Sequence, residues 1–204
     1  MQQTGWEKYW KEKRNKNRVL ISLSALTLTL FLFVKFLTYN ETRSGFCFPD
    51  PVLHLFKPYA LSEYTFFITY VLGIYGLITC AQKPHLFLRL IQAYTIMTLL
   101  RMGCMFLLPL EPPATIIPLR DSFLRHSFYS GRENLKDLFF SGHTATICLF
   151  VFIFENVRFK WFYAVGAAAV GMLLILQHVH YSIDVMAAPL FAWLGVFIQK
   201  KVFS

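Results

Sequence analysis

The sequence predicts an all-α polytopic membrane protein, a single bundle of six transmembrane helices. Three observations carry this. Of the 204 residues 56% are hydrophobic and only 15% charged, far from the usage of globular domains. Apolar runs close to membrane length recur along the whole chain. The 20 Lys and Arg, against 11 Asp and Glu, lie between those runs rather than on a soluble domain with interleaved stacking aromatics. That is a topology signal, and it excludes a nucleic-acid-binding module.

Residues 1–18 form a basic cytosolic segment carrying Lys8, Lys11, Lys13, Arg14, Lys16 and Arg18. The apolar run 19–37 follows directly. It is too long for a signal peptide and lacks a small-x-small cleavage site, so it is expected to be an uncleaved anchor. Further runs at about 64–81, 86–108, 141–154, 161–177 and 183–198 complete a membrane domain over 19–204. The fourth is the shortest and begins at a polar motif.

A cytosolic N-terminus puts Lys83, Arg89, Arg158, Lys160, Lys200 and Lys201 on the cytosolic side together with the basic head. Arg43, Lys57, Arg120, Arg125, Arg132 and Lys136 fall on the other side, over longer loops. This asymmetry obeys the positive-inside rule and places both termini in the cytosol. The polar motifs then converge on the exoplasmic face, periplasmic or luminal. The loop 109–140, rich in Pro109, Pro112, Pro113 and Pro118, is expected to be a lid or wall of a site there, or a segment lying in the interface.

Cys47, Cys80, Cys104 and Cys148 show neither CxxC spacing nor the clustering of a zinc site or disulfide framework, so they read as free thiols. No carboxylate cluster calls for a metal.

Two polar stretches carry chemistry. In His178-Val179-His180-Tyr181-Ser182-Ile183-Asp184, His180 and Asp184 are four residues apart and share a face if the segment is helical. A carboxylate on one ring nitrogen fixes the tautomer and leaves the other nitrogen to attack or to take a proton. In Asp137-Leu138-Phe139-Phe140-Ser141-Gly142-His143-Thr144, His143 supplies a second imidazole. Ser141 and Gly142 add a hydroxyl and a backbone that a ligand can approach closely. At the start of the fourth span, unpaired N–H groups and the helix dipole favour an anion, a phosphate or a carboxylate.

Arg101 lies within the third span, where a guanidinium must face the bundle or a wet cavity. It is either a bidentate phosphate clamp or half of an ion pair with an acid such as Glu111. His178 is expected to bond a carbonyl at a helix end, facing away from His180. Asp137 can serve as an acidic residue near the start of the fourth span.

Ser141-Gly142-His143-Thr144 with Asp137 before it, His180-Tyr181-Ser182-Ile183-Asp184-Val185, and the upstream stretch from Arg101 to Pro109 together resemble the sphingomyelin synthase branch of the PAP2 (type 2 phosphatidic acid phosphatase) superfamily. The resemblance covers about 101–185. The wider phosphatases carry a K-x6-R-P element and an arginine six residues before the second histidine. Here Leu174 holds that place, and Phe140 rather than proline precedes Ser141. Both departures favour the synthase branch.

The resemblance implies a PAP2-like six-span fold and a phospholipid head-group phosphotransferase. His180, oriented by Asp184, would attack phosphorus and form a phosphohistidine. His143 would protonate the leaving oxygen, then take the proton of the acceptor hydroxyl. Arg101, Ser141 and Gly142 would bind the phosphate. The implied partners are a phospholipid donor and a lipid-alcohol acceptor such as ceramide, both within the bilayer, with no cofactor. A lipid phosphate phosphatase would use the same residues with water as acceptor. A membrane haem protein with His143 and His180 as axial ligands is a third possibility, but it leaves Asp184, the glycine turn and Arg101 unexplained.

Overall fold

The computed structural model describes residues 5–120 and 134–203. Each apolar run becomes a helix. A short α1 (Gly5–Trp10) precedes α2 (Lys13–Glu41), which takes in the basic residues of its first turns without a break at residue 18. Then come α3 (Ser62–Ala81) and α4 (Pro84–Leu107), the latter opened by a proline whose missing N–H costs nothing there. The last three are α5 (Gly142–Ile153), α6 (Val157–Leu176) and α7 (Ser182–Phe203). Ser141 caps α5, and Asn156 caps α6 by accepting from Arg158 N–H at 2.8 Å.

Five of these helices are long and apolar enough to cross a membrane. The fourth expected span keeps its position but is shorter. At 12 residues α5 is about 18 Å long, against a hydrocarbon core of roughly 30 Å. Its surroundings explain why this is tolerated. It is enclosed by α4, α6 and α7, with Ala145, Ile147, Leu149 and Ile153 wholly buried. Non-helical backbone at either end can therefore find protein partners.

The other helices present the opposite profile. Only 17% of the most apolar window of α2 is buried, and Leu20, Ile21 and Phe31 stand exposed on it. Apolar surface on this scale belongs against lipid, which makes the chain a multi-pass membrane protein. Across the bundle, Gln92 on α4 donates to Ser22 on α2 and accepts from Gln199 on α7, each at 2.9 Å. Such a buried polar ladder ties helices that lipid would otherwise solvate equally well.

The Trp6 indole donates to the carbonyl of Ala81, so α1 folds against the α3–α4 turn. The α5–α6 turn lies at that end too, where Glu155 approaches Arg89 at 3.9 Å. The polar motifs gather at the opposite end of the bundle. There Phe46 pairs with the chain around Leu110, while Ile117 N–H bonds the carbonyl of Gln177. The centre of the loop expected to be a lid or wall, residues 121–133 with Arg125 and Arg132, lies outside the described residues.

Candidate active site

Two helix caps back to back place His180. α6 ends in a Schellman motif: Val179 N–H bonds the carbonyl of Leu174, and His178 N–H that of Ile175. His178 takes the left-handed position, φ 56°, usually given to glycine. The accompanying apolar contact is present, since Val179 packs with the wholly buried Leu174 and Val170. Three residues on, α7 begins, and Asp184 in its first turn accepts the backbone N–H of Tyr181 at 3.2 Å. This is half of a capping box.

The same carboxylate oxygen meets His180 Nδ1 at 3.1 Å. His180 thus precedes the helix, and its pairing with Asp184 comes from the cap rather than from a shared helical face. Both are buried, His180 at 3% exposure and Asp184 at 0%. Asp184 Oδ1 has no hydrogen-bond donor among the described residues.

Ser141 N–H donates to the carbonyl of Asp184 at 3.1 Å, joining the two motifs through their backbones. The Ser141 hydroxyl, fully buried, accepts from Thr144 N–H and lies 3.1 Å from the Thr144 hydroxyl. His143, on the first turn of α5, is half-buried with its ring edge-on to Phe66 of α3 at 5.7 Å. The N-termini of α5 and α7 therefore open at one place.

Arg101 approaches from α4 and is buried. Its Nε donates to the carbonyl of Phe140 at 3.0 Å, and its Nη2 lies 2.9 Å from Asp137 Oδ1. That second contact is ionic rather than a hydrogen bond, because Asp137 Oδ1 has no aligned donor. The expected structural partner, Glu111, instead pairs with Lys136 at 2.8 Å. The guanidinium lies against the Cα of Gly142, where any Cβ would overlap it. Phe140 stacks on Phe191 of α7 at 4.3 Å, which fixes the carbonyl that Arg101 uses. Arg101 sits six residues before the end of α4, so the site is sunk about 9 Å below that end.

Residues with no motif to announce them hold this arrangement. Asn40 donates to the carbonyl of Lys136 at 2.8 Å, and Glu41 accepts Lys136 N–H at 2.7 Å, which delivers Asp137 to Arg101. Arg43 covers the last carbonyls of α4, those of Met105 and Phe106. The Lys136 ammonium and Gly45 N–H hold the Glu111 carboxyl below its ordinary range.

Asp50, buried in the loop after α2, accepts Ser182 N–H at the start of α7 and Val52 N–H at 2.9 Å. Burial alone would raise its pKa, but the Ser182 groups and the N–H groups of Val52 and Leu53 hold it lowered. Gln177 bonds Leu61 N–H, the Ser62 hydroxyl and the carbonyl of Ile117. His178 is buried with Nδ1 at 2.6 Å from the Thr115 hydroxyl and its ring against Phe56, so its partner is a side chain rather than the expected carbonyl. Burial pushes its imidazole below the ordinary value. The one signal for these residues was the presence of polar groups at the ends of apolar runs.

Of the predicted site residues, Arg101, Ser141, Gly142, His180 and Asp184 meet at one junction, with His143 on the adjoining turn. A family model described as PAP2 superfamily C-terminal matches residues 136–201. No curated protein and no solved structure matches the chain. The matched stretch starts at the lysine that delivers Asp137 and runs through both histidines into α7, while Arg101 reaches it from outside. Over that stretch, about a third of the chain, the protein is similar to the C-terminal part of the PAP2 superfamily.

Proposed function

We propose that the chain is a phospholipid head-group phosphotransferase of the sphingomyelin synthase type. One observation carries the reading: His180 Nδ1 is engaged by a buried Asp184 at 3.1 Å, at the junction where two helix N-termini and Arg101 converge. With Nδ1 held as N–H, the lone pair of Nε2 is the nucleophile. It forms an N–P bond as the P–O bond to diacylglycerol breaks, and His143 as imidazolium gives that oxygen its proton. His143 then takes the proton of the acceptor hydroxyl, whose oxygen attacks phosphorus and releases His180. The charge gathered on the phosphoryl oxygens is met by Arg101 and by the first N–H groups of α5.

Two features favour transfer to a lipid alcohol over hydrolysis. Leu174, in the place where the wider phosphatases carry arginine, is wholly buried in an apolar cluster and locked into the Schellman cap. Arg101 on α4 is then the cation nearest the junction among the described residues, as the resemblance to the synthase branch implies.

The test is a product assay in liposomes with labelled ceramide and diacylglycerol, mixed phospholipid donors, and the His180→Ala and His143→Ala variants. Labelled phospholipid formed by wild type and by neither variant upholds the reading. Release of free phosphate or phospho-head group alone replaces it with hydrolysis. Equal inertness of all three proteins withdraws the catalytic assignment.

A further inference from the structure

We infer that the opening turns of α2, with α1 folded beside them, form a binding surface for the head groups of anionic phospholipids. The surface lies at the end of the bundle opposite the polar junction, and the inference does not depend on the proposed reaction. Lys8, Lys13, Arg14, Lys16 and Arg18 are all exposed, and among the described residues none of the five forms an ion pair. Glu12, which lies among them, is instead engaged by the Asn15 side chain at 3.1 Å. Their charge is therefore not neutralised within the chain, and it attracts an anion from outside.

The height and direction of these cations point to lipid. Gln92, eight residues into α4, meets Ser22, nine residues into α2, so the two helices begin within about 1.5 Å of one level. Lys13 and Leu20 stand seven residues apart, as do Arg14 and Ile21, so each pair shares a helix face. Leu20 and Ile21 are each 66% exposed, on the side that meets lipid. Lys13 and Arg14 thus rise about 10 Å above them, over the lipid rather than over the bundle. From Lys13 to Arg18 the helix climbs about 8 Å, close to the depth of one head-group layer, roughly 5–8 Å. A phosphodiester at that height carries the complementary charge.

A topology signal requires only that the charge be present, whereas this segment is also fastened in place. Asn15 donates to the carbonyl of Tyr9 at 3.2 Å, which closes the bend between α1 and α2. Trp6 stacks on Trp10 at 5.4 Å and meets Phe87 of α4 edge-on at 5.7 Å, while its indole N–H bonds the carbonyl of Ala81. α1 so lies across the end of the bundle, its aromatic residues at the level where Trp and Tyr favour the membrane interface. Lys8 is thereby held beside the cations of α2 instead of on a free tail.

The test uses the full-length protein in vesicles of mixed phosphatidylcholine and phosphatidylglycerol, with Trp161→Phe and Trp193→Phe so that Trp6 and Trp10 report. One lipid at a time is brominated near the carbonyl end of its acyl chains, and quenching of the two indoles measures its local share. Phosphatidylglycerol should be preferred at least about fivefold, the effect of a single Lys or Arg near an anionic surface. Lys8→Gln, Lys13→Gln, Arg14→Gln, Lys16→Gln and Arg18→Gln together should bring the preference within about twofold of unity. Raising salt from about 0.1 to about 1 M, which shortens the screening length from about 10 to about 3 Å, should do the same. Lys35→Gln, toward the other end of α2, should leave the preference unchanged. Equal quenching by the two lipids with the basic residues intact, or a preference that survives either the five substitutions or salt, overturns the inference. If the substituted protein does not fold, the salt series on the intact segment decides.

Discussion

Gly142→Ala should act on the site through Arg101. A Cβ at position 142 overlaps the guanidinium, whose end is held by the Phe140 carbonyl at 3.0 Å and by Asp137 at 2.9 Å. The methyl cannot give way, because it is fixed to the first turn of α5, and that turn is tied to Asp184 by Ser141 N–H. The guanidinium must therefore move and surrender its contacts. If Arg101 stabilises phosphoryl charge, losing its alignment should cost about 10²–10³-fold in kcat, roughly 2.7–4 kcal/mol, the range for removal of one preorganised donor. Overpacking should cost a further 1–3 kcal/mol or so in stability. The assay is a double-mutant cycle: kcat and Tm for wild type, Gly142→Ala, Arg101→Ala and the double variant. With no guanidinium to strike, the methyl should cost almost nothing, and the double variant should match Arg101→Ala alone. Additive losses, or a Gly142→Ala protein as active as wild type, would refute the coupling.

Asp184→Asn keeps an acceptor for Tyr181 N–H, and so the helix cap, but ceases to hold the His180 ring as a carboxylate does. Turnover should fall about 10²–10⁴-fold with Tm little changed, measured side by side in one detergent. Asp50→Asn weakens the anchor at the start of α7 and should lower stability at neutral pH by about 0.3–2 kcal/mol. Because folding lowers the Asp50 pKa, its contribution is complete above the ordinary value of 3.8 and is lost as pH falls through the lower folded value. The Tm gap between wild type and Asp50→Asn should accordingly close below about pH 4; a gap constant with pH would show that the carboxylate charge is not what anchors the helix. Gln92→Leu orphans both Ser22 and Gln199 and should cost about 0.6–2 kcal/mol in thermal stability, with KM unchanged. An unaltered Tm would mean that the ladder does not tie the bundle.

The six longer helices were legible as apolar runs, and three have a readable start: a proline opens α4, Ser141 opens α5, and Asn156 opens α6, whereas α1, a short polar and aromatic turn within the basic head, was not foreseen. The chemistry was legible where sequence spacing and spatial proximity coincide, as in Ser141-Gly142 and in the pair His180 and Asp184. The reason given for that pair was nevertheless wrong. Four residues suggested one face of a helix, but the contact arises because Asp184 reaches back to cap α7 and finds His180 ahead of the first turn. Long-range partners were not legible. Glu111 and Asp137 are both acidic residues after Arg101, and only the grip of Asn40 and Glu41 on Lys136 decides that Asp137 is the one delivered. Asp50 stands 132 residues from Ser182, and nothing local marks it as the acceptor at the start of α7.

The shortness of α5 follows from what its N-terminus is for. A helix that began level with the end of α4 would place its free N–H groups about 9 Å too high to meet Arg101 and the start of α7. Starting lower leaves residues 134–141 as non-helical backbone at membrane depth, where each unsatisfied group is costly. The nearby elements remove much of that cost: Asn40 and Glu41 take the Lys136 carbonyl and N–H, Arg101 takes the Phe140 carbonyl, and Asp184 takes Ser141 N–H. Two of those partners are site residues themselves. Arg101 takes part with the side chain that would handle phosphate, whereas Asp184 uses its backbone carbonyl, which a side-chain substitution leaves in place; a substitution at Arg101 should therefore be read in both activity and stability before it is assigned a role.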